Sequence, residues 1–333
     1  MALGGGIVVG GWSLQSRRPS RVSAGAVPTA VPTGGATTNS GATSPTDPAS
    51  PARPPVTRLH APGAVVAIGD LHGDPPAALA VLRMAGLVND RGGWIGGTTW
   101  LVQTGDILDR GPDSRGMIVL LHRLEVEAQA AGGRVIALNG NHEVMNLRGD
   151  WRYVSPEDLA GYGGEVARKA AYLPSGPDGD WILDHDIVAQ VDDTVFAHGG
   201  IDAHWAGFGV NGLNAMARAA MTGRGPLDVL GPDGPLWNRV YLQASEVVAC
   251  PELSKALVSL GAARMVVGHT TQESGRVAER CGGQLYGIDV GISAHYGSHL
   301  GALRIEDNAV RALYPIANPT PRAAPTTGPT SGG

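Results

Sequence analysis

A recurring pattern constrains the fold of this chain most strongly. Five short apolar segments each lead into a turn that carries glycine and a polar residue able to bind a metal. They cover residues 64–68, 98–103, 134–138, 194–197 and 264–267. Each has the length of a β-strand, and apolar residues at helical spacing over 75–88 and 114–131 separate the first three. Asp74 and Asp113 stand where helix N-caps are expected. Strands that alternate with helices predict an α/β fold with parallel strands and helical crossovers.

Binding sites in parallel sheets form at the carboxyl ends of the strands, so the five turns are expected to converge on one edge. Their polar side chains are Asp70, His72, Asp106, Asn141, His198 and His269. Carboxylate, amide and imidazole ligands together suit Mn, Fe or Zn better than Ca or Mg. Six ligands are too many for one open zinc site but fit two ions, with Asp106 as the natural bridge. We therefore predict that a metal-bridging hydroxide attacks a phosphate ester directly.

The rest of the chain gives no support to other chemistries. A thiol phosphatase needs an Arg shortly after its Cys, whereas Ala256 follows Cys250 by six positions and Gly287 follows Cys281 by six. We expect both cysteines to be ordinary core or surface residues. A formal net charge of −5 argues against nonspecific nucleic-acid binding.

The ends of the chain differ in composition from its centre. Residues 1–56 are rich in Gly, Ala, Ser, Thr and Pro and are expected to be a flexible tail or a targeting segment. Arg17, Arg18 and Arg21 without nearby acids fit a transit peptide to an organelle such as the chloroplast; the alternative is a soluble cytoplasmic protein. No membrane span is expected, because the apolar opening is too short. Residues 57–316 are the predicted catalytic domain and 317–333 a disordered tail.

The order of the motifs resembles a known family. The motifs are GDLHGD (69–74), GDILDRG (105–111), GNHE (140–143), HGG (198–200) and GHT (268–270). They are similar to those of the calcineurin-like metallophosphoesterases, and Arg110 and Glu143 favour the phosphoprotein phosphatase branch. GNHEVMNLRGDWRYV, DTVFAHGGI and GPLWNRVY resemble the Shewanella-like protein phosphatases most closely. The resemblance covers about 65–297 and implies a β-sandwich with flanking helices and a dimetal site.

The resemblance also implies a role for each matched residue. The first metal would be bound by Asp70 and His72, the second by Asn141, His198 and His269, with Asp106 bridging. His142 would protonate the leaving alcohol and Asp109 would orient it. Arg110, Arg239 and Asn141 would bind the phosphate; the structural alternative for Arg110 is an ion pair with Asp109 or Asp113.

The substrate implied by the resemblance is a phosphorylated protein or peptide. A small-molecule phosphohydrolase of the same fold, such as a dinucleoside tetraphosphatase, is the alternative. A non-catalytic scaffold is disfavoured because every expected ligand is present. Residues 150–186 are predicted to form a helical insertion over the site, and His295 and Tyr296 to line its entrance. His185 is not expected to be a ligand.

Overall fold

The computed structural model describes residues 58–316, whose strands form two five-stranded sheets. The predicted tails, 1–56 and 317–333, lie outside the described residues. The strands are β1 (Val65–Ile68), β2 (Trp100–Gln103), β3 (Arg134–Ala137), β4 (Val188–Val191), β5 (Thr194–Ala197), β6 (Arg264–Val267), β7 (Ala278–Arg280), β8 (Leu285–Gly287), β9 (Ala302–Glu306) and β10 (Ala309–Leu313). The helices are α1 (Pro75–Met84), α2 (Ser114–Ala130), α3 (Asn141–Leu147), α4 (Pro156–Gly161), α5 (Glu165–Ala171), α6 (Pro177–Asp184), α7 (Ala203–Ala206), α8 (Gly209–Met221), α9 (Val240–Gln243) and α10 (Glu246–Leu260).

The first sheet has the order β10-β9-β1-β2-β3 and the second β4-β5-β6-β8-β7. Strands β1, β2 and β3 run parallel, as do β5, β6 and β8. The outer strands pair antiparallel. All five predicted strands are present, and their carboxyl ends lie at one edge of each sheet.

The two sheets pack face to face, and helices cover their outer faces. Alternate side chains of β1 separate accordingly: Val65 and Ala67 belong to the core between the sheets, whereas Val66 and Ile68 pack with α1 and α2. Helices α7, α8 and α10 pack with the outer face of the second sheet. The expected α/β sandwich with flanking helices is confirmed.

The first helix begins as predicted and ends earlier. The side chain of Asp74 accepts the N–H of Ala77 at 3.1 Å, which caps α1. The helix ends at Met84 rather than at Val88, because Gly86 adopts a φ of +73° and Val88 pairs with Trp94 in a β-bridge. Local apolar spacing continues past that turn, so it could not show where the helix stops.

The expectation that the two cysteines are ordinary core or surface residues is wrong. Cys250, in α10, forms a disulfide with Cys281, and their Cα atoms are 5.4 Å apart. The pair is 31 residues apart in sequence. Packing of α10 against the turn between β7 and β8 brings them together, and spacing alone does not encode this long-range contact.

Residues 150–186 form the predicted helical insertion, made of α4, α5 and α6. Within residues 58–316, none of the helices combines the length and the apolar character that crossing a bilayer requires.

Candidate metal centre

The six predicted ligands lie together where five strands end. Asp70 and His72 follow β1, Asp106 follows β2, Asn141 begins the helix after β3, and His198 and His269 follow β5 and β6. All six are buried, with 4% or less of their surface exposed. Polar side chains are seldom buried without a compensating partner. Their convergence therefore needs a chemical explanation.

Asp106 lies between two groups of imidazoles. Its Oδ2 atom is 3.9 Å from Nε2 of His72 and 3.7 Å from Nε2 of His142. Its Oδ1 atom is 3.2 Å from Nε2 of His198. Because the two oxygens face different groups, this carboxylate would be the shared ligand if each group held a metal ion.

The first group is completed by Asp70, whose Oδ2 atom is 3.8 Å from Nε2 of His72. The carboxylate of Asp70 also accepts the backbone N–H of His269, at 3.1 Å from Oδ1. Leu108 fixes the ring of His72, since its carbonyl oxygen lies 3.2 Å from Nδ1. This contact leaves Nε2 free to face the carboxylates.

The second group joins His198, Asn141 and His269. The Oδ1 atom of Asn141 is 3.0 Å from Nε2 of His198, and the ring centres of His198 and His269 are 4.7 Å apart. The carbonyl oxygen of Thr104 lies 2.9 Å from Nδ1 of His198 and orients that ring. Ligand atoms of Asp106, His198 and His269 all lie within 4.8 Å of one another, as a common ion requires.

The chain reaches this geometry through unusual backbone conformations. His72, Asp106 and His269 have positive φ angles of 46°, 53° and 64°. Such left-handed conformations are strained for residues with a Cβ and cluster at functional sites. Glycine is required close by, because a Cβ on Gly140 would lie 2.3 Å from Oδ1 of Asp106. A Cβ on Gly268 would lie 2.4 Å from Oδ1 of Asp70.

The electrostatics of the centre favour a bound cation. Burial, together with Asp289 and Asp106, raises the pKa of Asp70 well above its ordinary value. Burial lowers the pKa of His72 to about 3 and that of His269 to about 2. These imidazoles are therefore neutral, the form that binds metals.

One further observation shows that metal ions fit the residues present. Both ring nitrogens of His269 are buried, and neither has a hydrogen-bond partner among the described residues. A buried polar atom without a partner is costly, and coordination to a cation would remove that cost. The mixed nitrogen and oxygen donors suit transition metals. The centre is thus built for a dimetal cofactor.

Glu143 supports the centre in a way that the sequence did not predict. Its carboxylate accepts four backbone N–H groups, those of Asp106 at 2.9 Å, Ile107 at 2.9 Å, Leu108 at 3.1 Å and Gly140 at 2.7 Å. Burial and the charge of Asp106 raise its pKa to about 7. The sequence signal was an acid three residues after Gly140 at a helix start, which is typical of a capping residue. Its contacts with the turn after β2 are long-range.

The predicted acid, His142, forms a buried pair with Asp109. Its Nδ1 atom lies 2.7 Å from Oδ2 of Asp109. Burial lowers the pKa of His142, but the charges of Asp106 and Asp109 outweigh this effect and raise it above its ordinary value. The ring therefore favours a proton while its Nε2 atom faces the metal centre.

The two predicted phosphate-binding arginines lie near the centre. The guanidinium carbon of Arg110 is 3.8 Å from the ring centre of Tyr153, and its buried Nε atom has no described partner. Among residues 58–316, no ion pair joins Arg110 to Asp109 or Asp113, so the alternative reading gains no support. Arg239 donates from Nη1 to the carbonyl oxygen of His269 at 2.6 Å.

Other histidines and aromatic residues also have defined places. The ring of Tyr296 lies 4.8 Å from that of His72, and His295 is exposed beside it. His185 contacts Glu125, with 2.8 Å between Nε2 and Oε1, and the carbonyl oxygen of Trp181. These contacts engage both of its ring nitrogens away from the centre.

Comparisons with known proteins agree with this geometry. The family model of the calcineurin-like phosphoesterases matches residues 63–273. An uncharacterized protein of Schizosaccharomyces pombe is 38% identical over 275 residues, covering 77% of this chain and 82% of that protein. The Shewanella-like protein phosphatase 2 of Arabidopsis thaliana is 33% identical over 302 residues, covering 75% and 76% of the two chains.

A solved structure is similar as well. The crystal structure of the cold-active protein-tyrosine phosphatase of a psychrophilic Shewanella species has a TM-score of 0.69 and 28% sequence identity. The match covers 77% of this chain and 80% of that one. The chain therefore belongs to the calcineurin-like phosphoesterase family and is a metal-dependent phosphatase.

Proposed function

We propose that this enzyme removes phosphate from phosphorylated proteins or peptides. The observation that carries the proposal is the pair of His142 and Asp109, whose acid faces the metal centre with Nε2 3.7 Å from Asp106. Phosphomonoester hydrolysis needs such an acid, because an alkoxide leaves poorly unless it receives a proton. Relatives named as protein phosphatases and a similar structure named as a protein-tyrosine phosphatase support a protein substrate.

The ligand assignment that we propose divides the centre at Asp106. Asp70 and His72 would hold one ion, Asp106 would be shared, and the other ion would take the remaining ligands, Asn141, His198 and His269. The donor set suits Mn, Fe or Zn. When bound, two such ions lower the pKa of water and neutralise charge on the phosphate group.

The side chains of the chain would carry out the other tasks. Arg110 and Arg239 would grip the phosphate oxygens, because guanidinium groups match phosphate geometry and stabilise negative charge. The amide of Asn141 would contact the same group. His142 would pass the proton on Nε2 to the leaving oxygen while Asp109 holds Nδ1–H. The products are the free alcohol or phenol and inorganic phosphate.

We also propose that residues 57–316 are the catalytic domain, since its strands, ligands and insertion all lie within 58–316. The entrance would be lined by Tyr153, Tyr296 and His295. The first two rings already pack on His142 and His72, with centres 5.1 and 4.8 Å apart. An aromatic entrance suits a peptide side chain that carries phosphate on an aromatic or aliphatic oxygen.

A substrate panel tests this proposal. Phosphotyrosine, phosphoserine and phosphothreonine peptides are compared with diadenosine tetraphosphate at equal concentration, with the Asp106→Asn variant as the inactive control. We expect release of phosphate from at least one peptide class and little formation of ADP, ATP or AMP from the dinucleotide. Cleavage of the dinucleotide with untouched peptides would favour the small-molecule alternative instead.

A further inference from the structure

The guanidinium group of Arg168 is fully buried, with 0% of the side chain exposed. It lies on α5, in the helical insertion, rather than on any strand or turn that carries a predicted ligand. Arginine is almost never buried completely unless its donors are paired. The phosphatase reaction proposed above assigns it no task, so its burial calls for a separate explanation.

The donors of Arg168 reach three side chains. Nε donates to Oδ2 of Asp158 at 3.1 Å, and Nη1 donates to Oδ1 of Asn146 at 2.6 Å. Nη2 donates to Oδ1 of Asp109 at 3.4 Å. Two of these partners lie outside the insertion, on α3 and on the turn after β2. The arginine therefore connects the insertion to the machinery of the site.

Asn146 closes a ring of contacts around Asp109. Its Nδ2 atom donates to Oδ1 of Asp109 and to the carbonyl oxygen of His142, both at 2.9 Å. Oδ1 of Asp109 thus accepts from both Arg168 and Asn146, which leaves Oδ2 for Nδ1 of His142 at 2.7 Å. Because each oxygen of Asp109 has its own partners, the orientation of the carboxylate is fixed.

A second path runs through Asp158 and reaches the backbone of Asp109. Asp158 accepts the N–H of Ser114 at 2.7 Å through Oδ1. The hydroxyl of Ser114 accepts the N–H of Asp109 at 3.1 Å. Arg168, by holding Asp158, therefore supports both the side chain and the main chain of Asp109. A residue with a packing role alone would not need both connections.

Aromatic rings surround the guanidinium group. The ring centres of Trp151, Tyr162 and Tyr172 lie 5.5, 5.3 and 4.5 Å from its carbon. The hydroxyl of Tyr162 donates to that of Tyr172 at 3.0 Å. Cation–π contacts stabilise the charge where water is excluded, and hydrogen bonds are stronger in such surroundings.

We infer that Arg168 is a positioning residue for proton transfer: it holds Asp109 so that Asp109 holds His142 in line with the leaving oxygen. The inference rests on the proposed function, since it concerns the acid of that reaction. It also gives the insertion at 150–186 a task in the chemistry, because α5 supplies the arginine. Misplacing a catalytic group by about 1 Å can cost on the order of 100-fold in rate.

Leaving-group dependence separates positioning from simple support of the fold. The esters are 4-nitrophenyl phosphate, whose phenolate leaves without a proton, and phenyl phosphate, whose phenolate needs one. We expect Arg168→Lys to slow phenyl phosphate by about 10-fold or more and 4-nitrophenyl phosphate by less than about 3-fold. The double variant Arg168→Met, Asp158→Asn, which leaves no unpaired buried carboxylate at 158, keeps the test usable if the single variant misfolds. Bound metal is measured in each case.

Two control variants loosen the same region without touching Asp109. Arg115 is exposed and its guanidinium carbon lies 4.3 Å from the ring centre of Tyr162, so Arg115→Leu removes a cation from the same aromatic cluster. Tyr172→Phe removes the hydrogen bond between the tyrosines. Both are expected to keep the wild-type ratio of the two esters. In an Asp109→Asn background, Arg168→Lys should change that ratio no further.

The outcomes distinguish this inference from the proposed function. If the metal-loaded wild-type enzyme cleaves neither ester, the proposed function fails. Suppose that the wild-type enzyme cleaves both esters. The positioning role is then overturned if Arg168→Lys slows both esters equally. It is also overturned if Arg168→Lys lowers the rate by its full factor in the Asp109→Asn background. The positioning role is supported if the ratio of the two ester rates changes in the Arg168 variants, which keep wild-type metal content, and does not change in the two control variants.

Discussion

The Nδ1 atom of His142 lies 2.7 Å from the Oδ2 atom of Asp109, and both side chains are buried beside the metal centre. Because Asp109 engages Nδ1, the imidazole presents Nε2 toward Asp106, 3.7 Å from Oδ2. The same nitrogen is close enough to the centre for His142 to be considered as a metal ligand. The two roles, proton donor and ligand, predict different behaviour of the same variant.

Replacing His142 with Asn should leave both metals bound and slow substrates with poor leaving groups most. Loss of a general acid costs about 10²- to 10⁴-fold. We expect a loss of this size with phenyl phosphate and a much smaller one with 4-nitrophenyl phosphate. Steady-state kinetics with metal analysis check this, with His122→Asn, at an exposed position on α2, as the matched control. Loss of metal, or equal slowing of both esters, would argue that His142 is not the acid.

Replacing Asp106 with Asn should reduce metal occupancy and turnover together, because this carboxylate faces both groups of ligands. Removing a residue that merely supports a metal ligand lowers metal affinity or activity by about 10- to 100-fold. Removing a shared ligand should therefore lower metal affinity or activity by more than about 100-fold. Metal content and turnover are measured on the same preparation, beside Asp193→Asn, which removes a carboxylate paired with Arg264 at 2.9 Å. Normal metal content with normal rates in Asp106→Asn would contradict the assignment of Asp106 as the bridging ligand.

Arg110 should be needed for its guanidinium fork and not only for its charge. We expect Arg110→Lys to retain metal and to lower kcat by about 10²- to 10³-fold, the range for losing one donor to a transition state. Lysine offers a point charge and cannot bind two phosphate oxygens in the same planar way. The control is Arg152→Lys, an exposed arginine paired with Asp150. Wild-type rates in Arg110→Lys would remove this residue from the phosphate site.

The disulfide between Cys250 and Cys281 should stabilise the fold. Closing a loop between residues 31 apart contributes about 3–4 kcal/mol in the chain-entropy description. For a domain of this size, losing that free energy with the disulfide corresponds to a fall of about 5–15 °C in Tm. The variant with both cysteines replaced by Ser is compared with the oxidised and reduced wild-type chain by thermal unfolding. Equal Tm values for all three would show that the bond contributes no stability.

Much of the fold was predictable because its signals are local. The apolar segments before Asp70, Asp106 and His269 have strand length, and the parallel connections place their ends on one edge. The convergence of the six proposed ligands followed from the same turns. The pairing of His142 with Asp109 came from resemblance to a family, since nothing in the spacing of the two residues specifies it.

The parts that the sequence did not predict depend on contacts between distant segments. The charge and helical position of Arg168 are typical of a surface residue. Its bonds to Asn146 and Asp109, and the aromatic rings around it, exist only in the assembled fold. An acid three residues after Gly140 is typical of a helix start, but the bonds of Glu143 to residues 106–108 require the assembled sheet. The disulfide likewise needs α10 to pack beside the turn after β7.

The most direct test of the central claim is a metal titration of the chelated enzyme. Metal-free protein is supplied with Mn, Fe or Zn in steps, and bound metal and hydrolysis of 4-nitrophenyl phosphate are measured at each step. The two-metal centre predicts no activity without metal and full activity only when two ions are bound per chain. Activity that persists without bound metal, or that is complete with one ion per chain, would contradict it.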